Sequence, residues 1–445
     1  MKVTRDERAT ERVPSKVLDM RRTAGEITSH GLHYSRAVAA GPYVFLSGVA
    51  VDPGKGTLAD TAIVNHPYRK SMSAAVEKQS QYIFGDFKAT LEQFGSSIDQ
   101  IVQVEQWVTS KGYGPAYADI RGQYLKTKRP GTILVCVKGL LLPELVVGID
   151  AISIIPSEGT RKEVVNLAKP VEMPVLGARY EEPMFSDVIK AGDYAFYDGE
   201  IASDLETSPL VEEARPKLDW IWWGIPIKLQ AEFCLKREEK KAEVAGSSMS
   251  NLVNVDVCLT DMNDLYDLDS VWTKYFPSDP PARTVIPATG LGIPRTEGPV
   301  DGTRWPVVEM IFTGIVPSDK TSKEVIKTER GSLSHESEGV KAGPLLWTSN
   351  LVAADKGGLV ASPDIGSQTR FILEHISAIC KAAGTSLANT VKIRAMLTDA
   401  TQVFGFFAEL KKAIPSKPPA VTVVHTGALP VQECSIGMSA IVYVP

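Results

Sequence analysis

A chain of 445 residues is too long for one hydrophobic core, and about three domains is the length prior. Its 48 Lys+Arg stand against 53 Asp+Glu, a net charge of -5 with no long block of either sign, which argues against nucleic acid or an anionic membrane as the main partner. Five scattered cysteines without a Cys-x-x-Cys read as buried small residues in a reducing compartment; no apolar signal core opens the chain and no stretch is long and apolar enough for a membrane span, so a cytoplasmic protein is expected.

Taken in order, the chain is one unit written three times. Residues 1–25 read as a charged extension. The first unit, 26–160, opens with a strand pair whose second member is 43–51. Sixteen residues separate Gln79 from Gly95, and Ile83, Phe87, Leu91 and Phe94 make an apolar stripe at helical spacing between them. A helix closed by its glycine is predicted. Alternation follows at Val102, Val104 and Val108, then a second helix, then consecutive strands at 133–137 and 146–155. The second unit, 161–322, repeats the pattern with strand 194–201, the same spacing from Gln230 to Gly246, alternation at 253–259, a helix at 265–276 and strands at 284–286 and 307–315. Glu238 and Ala242 interrupt its first stripe. An insertion at 206–224 holds Trp220, Trp222 and Trp223, which predict a packed inter-domain seam rather than a lid. The third unit, 323–445, shows strand 345–352, Gln368 to Gly384 at the same spacing, alternation at 391–397 and strands at 421–424 and 434–444. Each unit therefore reads β-β-α-β-α-β-β, an α+β layer. The segments around Lys162-Glu163-Val164 and Lys323-Glu324-Val325 read as solvated connectors.

The chemistry-bearing stretch is in the middle unit: Pro281-Ala282-Arg283-Thr284, followed by Val308-Glu309-Met310. Arg283 is a permanent planar cation suited to a carboxylate, and Glu309 is suited to orient or deprotonate water. If their strands are neighbours, both reach one pocket. Asp198 and Glu200 flank Gly199 and read either as a site for a cation or neutral amide or as plain surface acids. The histidines His30, His33, His66, His335, His375 and His425 show no metal-ligand spacing, so no metal is expected. Without a P-loop, a Gly-x-Gly-x-x-Gly helix start or a Gly-x-Ser-x-Gly, no nucleotide or nicotinamide cofactor is expected either.

Ser47-Gly48 after Tyr43-Val44-Phe45-Leu46, the Gly-Ser-Ser segments, Leu259-Thr260-Asp261-Met262-Asn263-Asp264-Leu265, and the Pro281 to Thr284 and Val308 to Met310 motifs together resemble the Rid (reactive intermediate deaminase, YjgF-like) family. The resemblance implies three tandem domains of chorismate mutase-like fold, assembled as an intramolecular pseudo-trimer with sites at the seams. It implies a cofactor-independent hydrolase of deaminase type, acting on an imine, enamine or related C–N bond of a small carboxylate. By the same resemblance Arg283 and Glu309 are the catalytic candidates, with Arg283, Thr284, Tyr34, Ser47 and Gly48 binding substrate. The equivalents of Arg283 are Thr132 and Val421, and those of Glu309 are Gly148 and Gly437. Tyr34, Ser47 and Gly48 are preferred as the neighbours of Arg283 over Glu336, Ser349 and Asn350. A non-catalytic ligand-binding or interaction protein is the alternative, and a ring-opening amidohydrolase of fused-trimer type ranks third. The expected partner is a small-molecule carboxylate, not nucleic acid or membrane, for a monomeric pseudo-trimer or a dimer of such units.

Overall fold

The structure, a computed structural model, describes residues 21–64, 72–167, 185–203, 209–217, 224–292 and 301–445. Its first repeat runs β1 (Arg22–Ile27), β2 (Tyr34–Ala40), β3 (Tyr43–Val49), α1 (Met72–Gln93), β4 (Ile101–Val108), α2 (Gly114–Tyr124), β5 (Gly131–Cys136) and β6 (Val147–Ile154). The second runs β7 (Lys162–Val165), β8 (Val188–Ala191), β9 (Tyr194–Tyr197), α3 (Pro226–Val244), β10 (Leu252–Leu259), α4 (Leu265–Tyr275), β11 (Ala282–Pro287) and β12 (Val308–Ile315). The third runs β13 (Lys323–Ile326), β14 (Gly339–Ala342), β15 (Leu345–Thr348), α5 (Ile365–Ala382), β16 (Thr390–Leu397), α6 (Val403–Ala413), β17 (Ala420–His425) and β18 (Ile436–Tyr443).

The repeated Gln and Gly have a structural cause. Gly95, Gly246 and Gly384 take left-handed φ values of 75°, 78° and 80°, where a side chain would be strained. The next amide in each case reaches back five residues, as in Ser96 N to Leu91 O, Ser247 N to Ala242 O and Thr385 N to Cys380 O, satisfying carbonyls left open at the helix end. Gln79, Gln230 and Gln368 accept from the backbone N–H of Val146, Val307 and Ser435, tying each long helix to the start of its last strand. Both ends of the helix are therefore pinned, which fixes its length.

Three expectations are corrected. The presumed connectors are edge strands: β7 pairs with β8 and β13 with β14 along four residues each, because an open sheet edge and a half-buried Val face favour pairing over solvation. The two closing strands of a repeat are not neighbours. In the second repeat the order is β11-β10-β12-β9-β8-β7, with β10 between β11 and β12. The segment joining β10 to β11 carries α4 across the sheet, so β11 lies parallel to β10 at the edge, while β12 returns antiparallel on the other side. The expected extension also ends earlier, since Arg22 already pairs with Ala39. The tryptophan run at 220–223 lies outside the described residues.

The three repeats close into a ring. Ser35 Oγ donates to Pro418 O, Ser186 Oγ to Arg129 O and Ser337 Oγ to Pro280 O, at 2.6, 2.6 and 2.5 Å. The same bond thus stitches the edge of repeat 1 to repeat 2, that of 2 to 3, and that of 3 back to 1. Tyr43, Phe45, Tyr194, Phe196 and Trp347 form a shared aromatic core with members from all three repeats.

Candidate functional site

Each seam joins the edge strand of one repeat (β5, β11 or β17) to the opening strands of the next. At the 2–3 seam Arg283 N donates to Ser349 Oγ at 2.8 Å, and Asn350 N donates to Arg283 O at 2.9 Å. The Arg283 side chain is 1% exposed. Its Nε reaches Glu336 Oε2 at 3.1 Å, Nη1 reaches Asp269 Oδ1 at 2.5 Å and Nη2 reaches Ser334 Oγ at 3.0 Å, while the guanidinium lies 4.9 Å from the Trp272 ring centroid. The neighbours of Arg283 are therefore Glu336, Ser349 and Asn350, not Tyr34, Ser47 and Gly48. Two acids already hold the cation. Glu336 is pushed upward in pKa by burial, a tendency opposed by Arg283.

Glu309 serves another seam. On β12 it stands opposite Ile201 and Cys258, whereas Arg283 is opposite Val255 on β10. A Cβ placed on Gly199 would come within 3.1 Å of Glu309 Oε1 and 2.8 Å of Thr132 O, so Glu309 lies at the 1–2 seam beside Thr132. The intervening β10 and the cyclic order of docking separate the arginine and glutamate of one repeat. At the 2–3 seam the position of Glu309 is taken by Gly437, packed against the Asn350 side chain.

Tyr34, Ser47 and Gly48 belong to the 3–1 seam. Tyr34 is buried with its ring 6.1 Å from that of Phe407, and Ser47 Oγ donates to Val421 O at 2.6 Å. Gly48 faces α1, where any side chain would strike Ile83 and Phe87. Thr284 is buried, next to Arg283 on the strand and so on its opposite face, and its hydroxyl has no hydrogen-bond partner.

Neither Asp198 nor Glu200 is a surface acid. Asp198 Oδ1 accepts from Thr132 N at 2.6 Å, and Glu200 lies 2.5 Å from Lys241 Nζ and 3.2 Å from Arg237 Nε. Burial raises Glu309 to about 8 and Asp198 to about 7. A carboxyl whose folded value is raised binds more protons folded than unfolded, so its contribution is present at low pH and lost as pH rises through the folded value. For Glu309 the window runs from its ordinary 4.5 up to about 8. Glu309→Gln, which copies the protonated form, should flatten the fall of thermal stability between pH 5 and 8, by at most about 1.4 kcal/mol per pH unit. Melting curves of both proteins across that range test it; parallel slopes would contradict the assignment.

Beside the 2–3 seam the third repeat carries a cavity of about 610 Å³, lined by residues of that repeat alone, among them Glu336, Ser349, Asn350, Arg330, Asp355 and His375. Asn350 Oδ1 is buried without a partner. His375, on α5, meets Glu338 Oε1 through Nε2 at 2.7 Å, and Glu338 also accepts from Thr328 N and Oγ1 at 2.6 and 2.5 Å. Burial holds His375 below the usual histidine range. Residues read singly gave no hint of this pair. Aligning the repeats on Gln79, Gln230 and Gln368 would have, because the position of His375 is Asp86 in the first repeat and Arg237 in the second.

A family model described as Endoribonuclease L-PSP matches the chain three times, at 27–155, 179–297 and 327–444. A RutC family protein of Pyrococcus horikoshii is 31% identical over 107 residues, 24% of this chain and 75% of that protein. The chloroplastic Reactive Intermediate Deaminase A of Arabidopsis thaliana is 28% identical over 152 residues, 33% of this chain and 81% of that protein. Among solved structures, one described as a chorismatase covers 77% of this chain and 93% of that chain, with 10% identity and a TM-score of 0.49.

Proposed function

Because the chain belongs to the endoribonuclease L-PSP (Rid/YjgF) family, as three tandem copies, we propose that it is a deaminase-type hydrolase that opens a C–N bond of a small molecule in the cavity of the 2–3 seam. The observation that carries this reading is the third-repeat cavity, whose wall includes Glu336, Ser349 and Asn350, the residues that bond the family's arginine across the 2–3 seam. Its volume suits a small organic ligand, and the polar groups on its wall can orient one. The names of the relatives support deamination; the ribonuclease in the family's description is not carried over, since the chain has a net charge of -5 and no basic block.

The preferred substrate differs from the carboxylate expected from sequence. Glu336 already occupies the Nε face of Arg283, so a second carboxylate there would meet a neutralised cation and a nearby acid. Glu336 accepts hydrogen bonds at the cavity wall, which favours a substrate presenting N–H groups. Such a substrate is an uncharged or amino-bearing imine, enamine or amide. Hydrolysis of an imine consumes one water and yields a carbonyl compound and ammonia.

One observation favours the non-catalytic alternative: Arg283 and Glu309 lie at different seams, so neither seam carries both. Ammonia release separates the two readings. Imines generated in place, with and without a carboxylate, should lose ammonia faster with the protein present, and the uncharged members should be preferred. No acceleration across the panel would leave ligand binding alone. Among the described residues no helix is long and apolar enough to cross a membrane, and a chloroplastic relative shows that the family is not tied to one compartment.

A further inference from the structure

We propose that His375, held by Glu338, is the general base of the 2–3 cavity and takes a proton from the water that attacks the substrate's C=N carbon; this rests on the hydrolytic reading above. The family's arginine-glutamate arrangement leaves this seam without an acid at the position of Gly437. A proton acceptor has to come from elsewhere on the cavity wall, and His375 lines it.

The local chemistry suits the role. Glu338 accepts from both polar groups of Thr328 and from the histidine, and its side chain is 2% exposed, so it is fixed in place. A carboxylate can only accept, so Nε2 carries the ring proton and Nδ1 keeps its lone pair. The neutral imidazole is the form a base needs, and burial favours it. The charged groups around His375 are Glu338 on the approach to β14, Glu329, Arg330 and Glu336 on the loop before it, and Asp355 and Lys356 elsewhere on the cavity wall. Arg330 stacks on Phe371 at 4.2 Å and lies 3.7 Å from Glu374, next to His375 on α5.

Comparison among repeats separates this pair from a mere structural tie. The positions of Glu338 and His375 hold Arg36 and Asp86 in the first repeat, joined as an ion pair. In the second they hold Asp187 and Arg237, which bind Lys241 and Glu200 instead. Each of those couples includes an arginine, which keeps its charge near neutral pH. The third repeat, which has the cavity, puts a titrating group in their place.

In the step, a water O–H bond breaks, the proton goes to His375 Nδ1, and the water oxygen bonds the C=N carbon. The π pair moves to nitrogen, which takes a proton from solvent. The carbinolamine then collapses: its hydroxyl proton returns to solvent while the O–H electrons form C=O, the C–N bond breaks, and the proton on His375 passes to the departing nitrogen, giving ammonia and regenerating the base. Atoms and electrons balance with one water consumed.

The test uses the full chain and the best uncharged imine of the panel. For the parent, kcat should fall with acid in a limb lying below the usual histidine range, as a histidine base held down by burial is protonated. His375→Asn should lower kcat at least 100-fold with KM within about threefold, and should abolish that acid limb. Glu338→Gln should cost less and shift the limb, because the imidazole loses its orienting charge. A folded His375→Asn protein, judged by an unchanged melting temperature, with kcat within threefold of the parent overturns the proposal while leaving the hydrolytic reading standing. Should that variant not fold, a parent kcat that stays flat from pH 7 down to the onset of acid unfolding overturns it equally. A parent inert towards the whole panel overturns both.

Discussion

Arg394→Met should destabilise the whole ring by about 3–5 kcal/mol, the cost of stranding buried acids whose partner has gone. Arg394 Nη1 lies 2.6 Å from Asp256 Oδ2, Nη2 binds Glu105, and the guanidinium stands 5.0 Å from the Trp107 ring centroid. These three charges occupy the same position of β4, β10 and β16, so they face one another where the repeats meet, around a small cavity of about 50 Å³. Three identical subunits would place three like charges there. A fused chain can place two acids and one arginine, and this one does. Burial pushes Glu105 up to about 8, and Arg394 opposes that rise. Replacing all three by Met, Gln and Asn should recover most of the loss, since a buried ion cluster contributes little beyond its uncharged equivalent. Urea unfolding of the single and triple variants checks this, and a single variant within about 1 kcal/mol of the parent would refute the lock.

The repeat and its elements were legible because they rest on local rules: a left-handed glycine after each helix, alternating Val and Ile in the strands, and an apolar stripe on α1 and α5. Fusion into a ring followed from the resemblance. What was not legible is where non-consecutive strands lie. Arg283 and Glu309 sit on strands consecutive in sequence, yet β10 separates them, and strand order is set by the crossover of α4 rather than by any residue near either side chain. The choice between Ser47 and Ser349 as neighbour was undecidable from sequence for the same reason. Both carry the family's serine, and only the direction of the ring distinguishes them. The stripe of α3 misled differently: Glu238 looked like an interruption but is fully buried, as is Lys241, one turn from it and bonded to Glu200.

Glu336→Ala should convert the 2–3 seam from one that disfavours carboxylates to one that binds them, by about 10- to 100-fold in Kd. In the parent, Arg283 is shared between Asp269, Ser334 and Glu336, and only the Glu336 contact borders the cavity. Removing that side chain leaves Nε without its acceptor and removes a negative charge from the cavity wall. A charge-assisted hydrogen bond to a guanidinium is worth about 1.5–3 kcal/mol, and each 1.4 kcal/mol is a factor of ten in affinity. Asp269 and Trp272 still hold the guanidinium in place, so the gain does not depend on Arg283 finding a new position. Titration calorimetry with a 2-oxo acid and with its amide reads the change: the acid should gain and the amide should not. Glu336→Gln, which removes the charge but keeps the bulk, should fall between parent and alanine variant. If the parent already binds the acid as tightly as Glu336→Ala does, Glu336 yields to substrate on its own, and the carboxylate selectivity read from sequence would return to this seam. The substrate class of the chain therefore turns on one acid that the third repeat places where the first has a buried tyrosine.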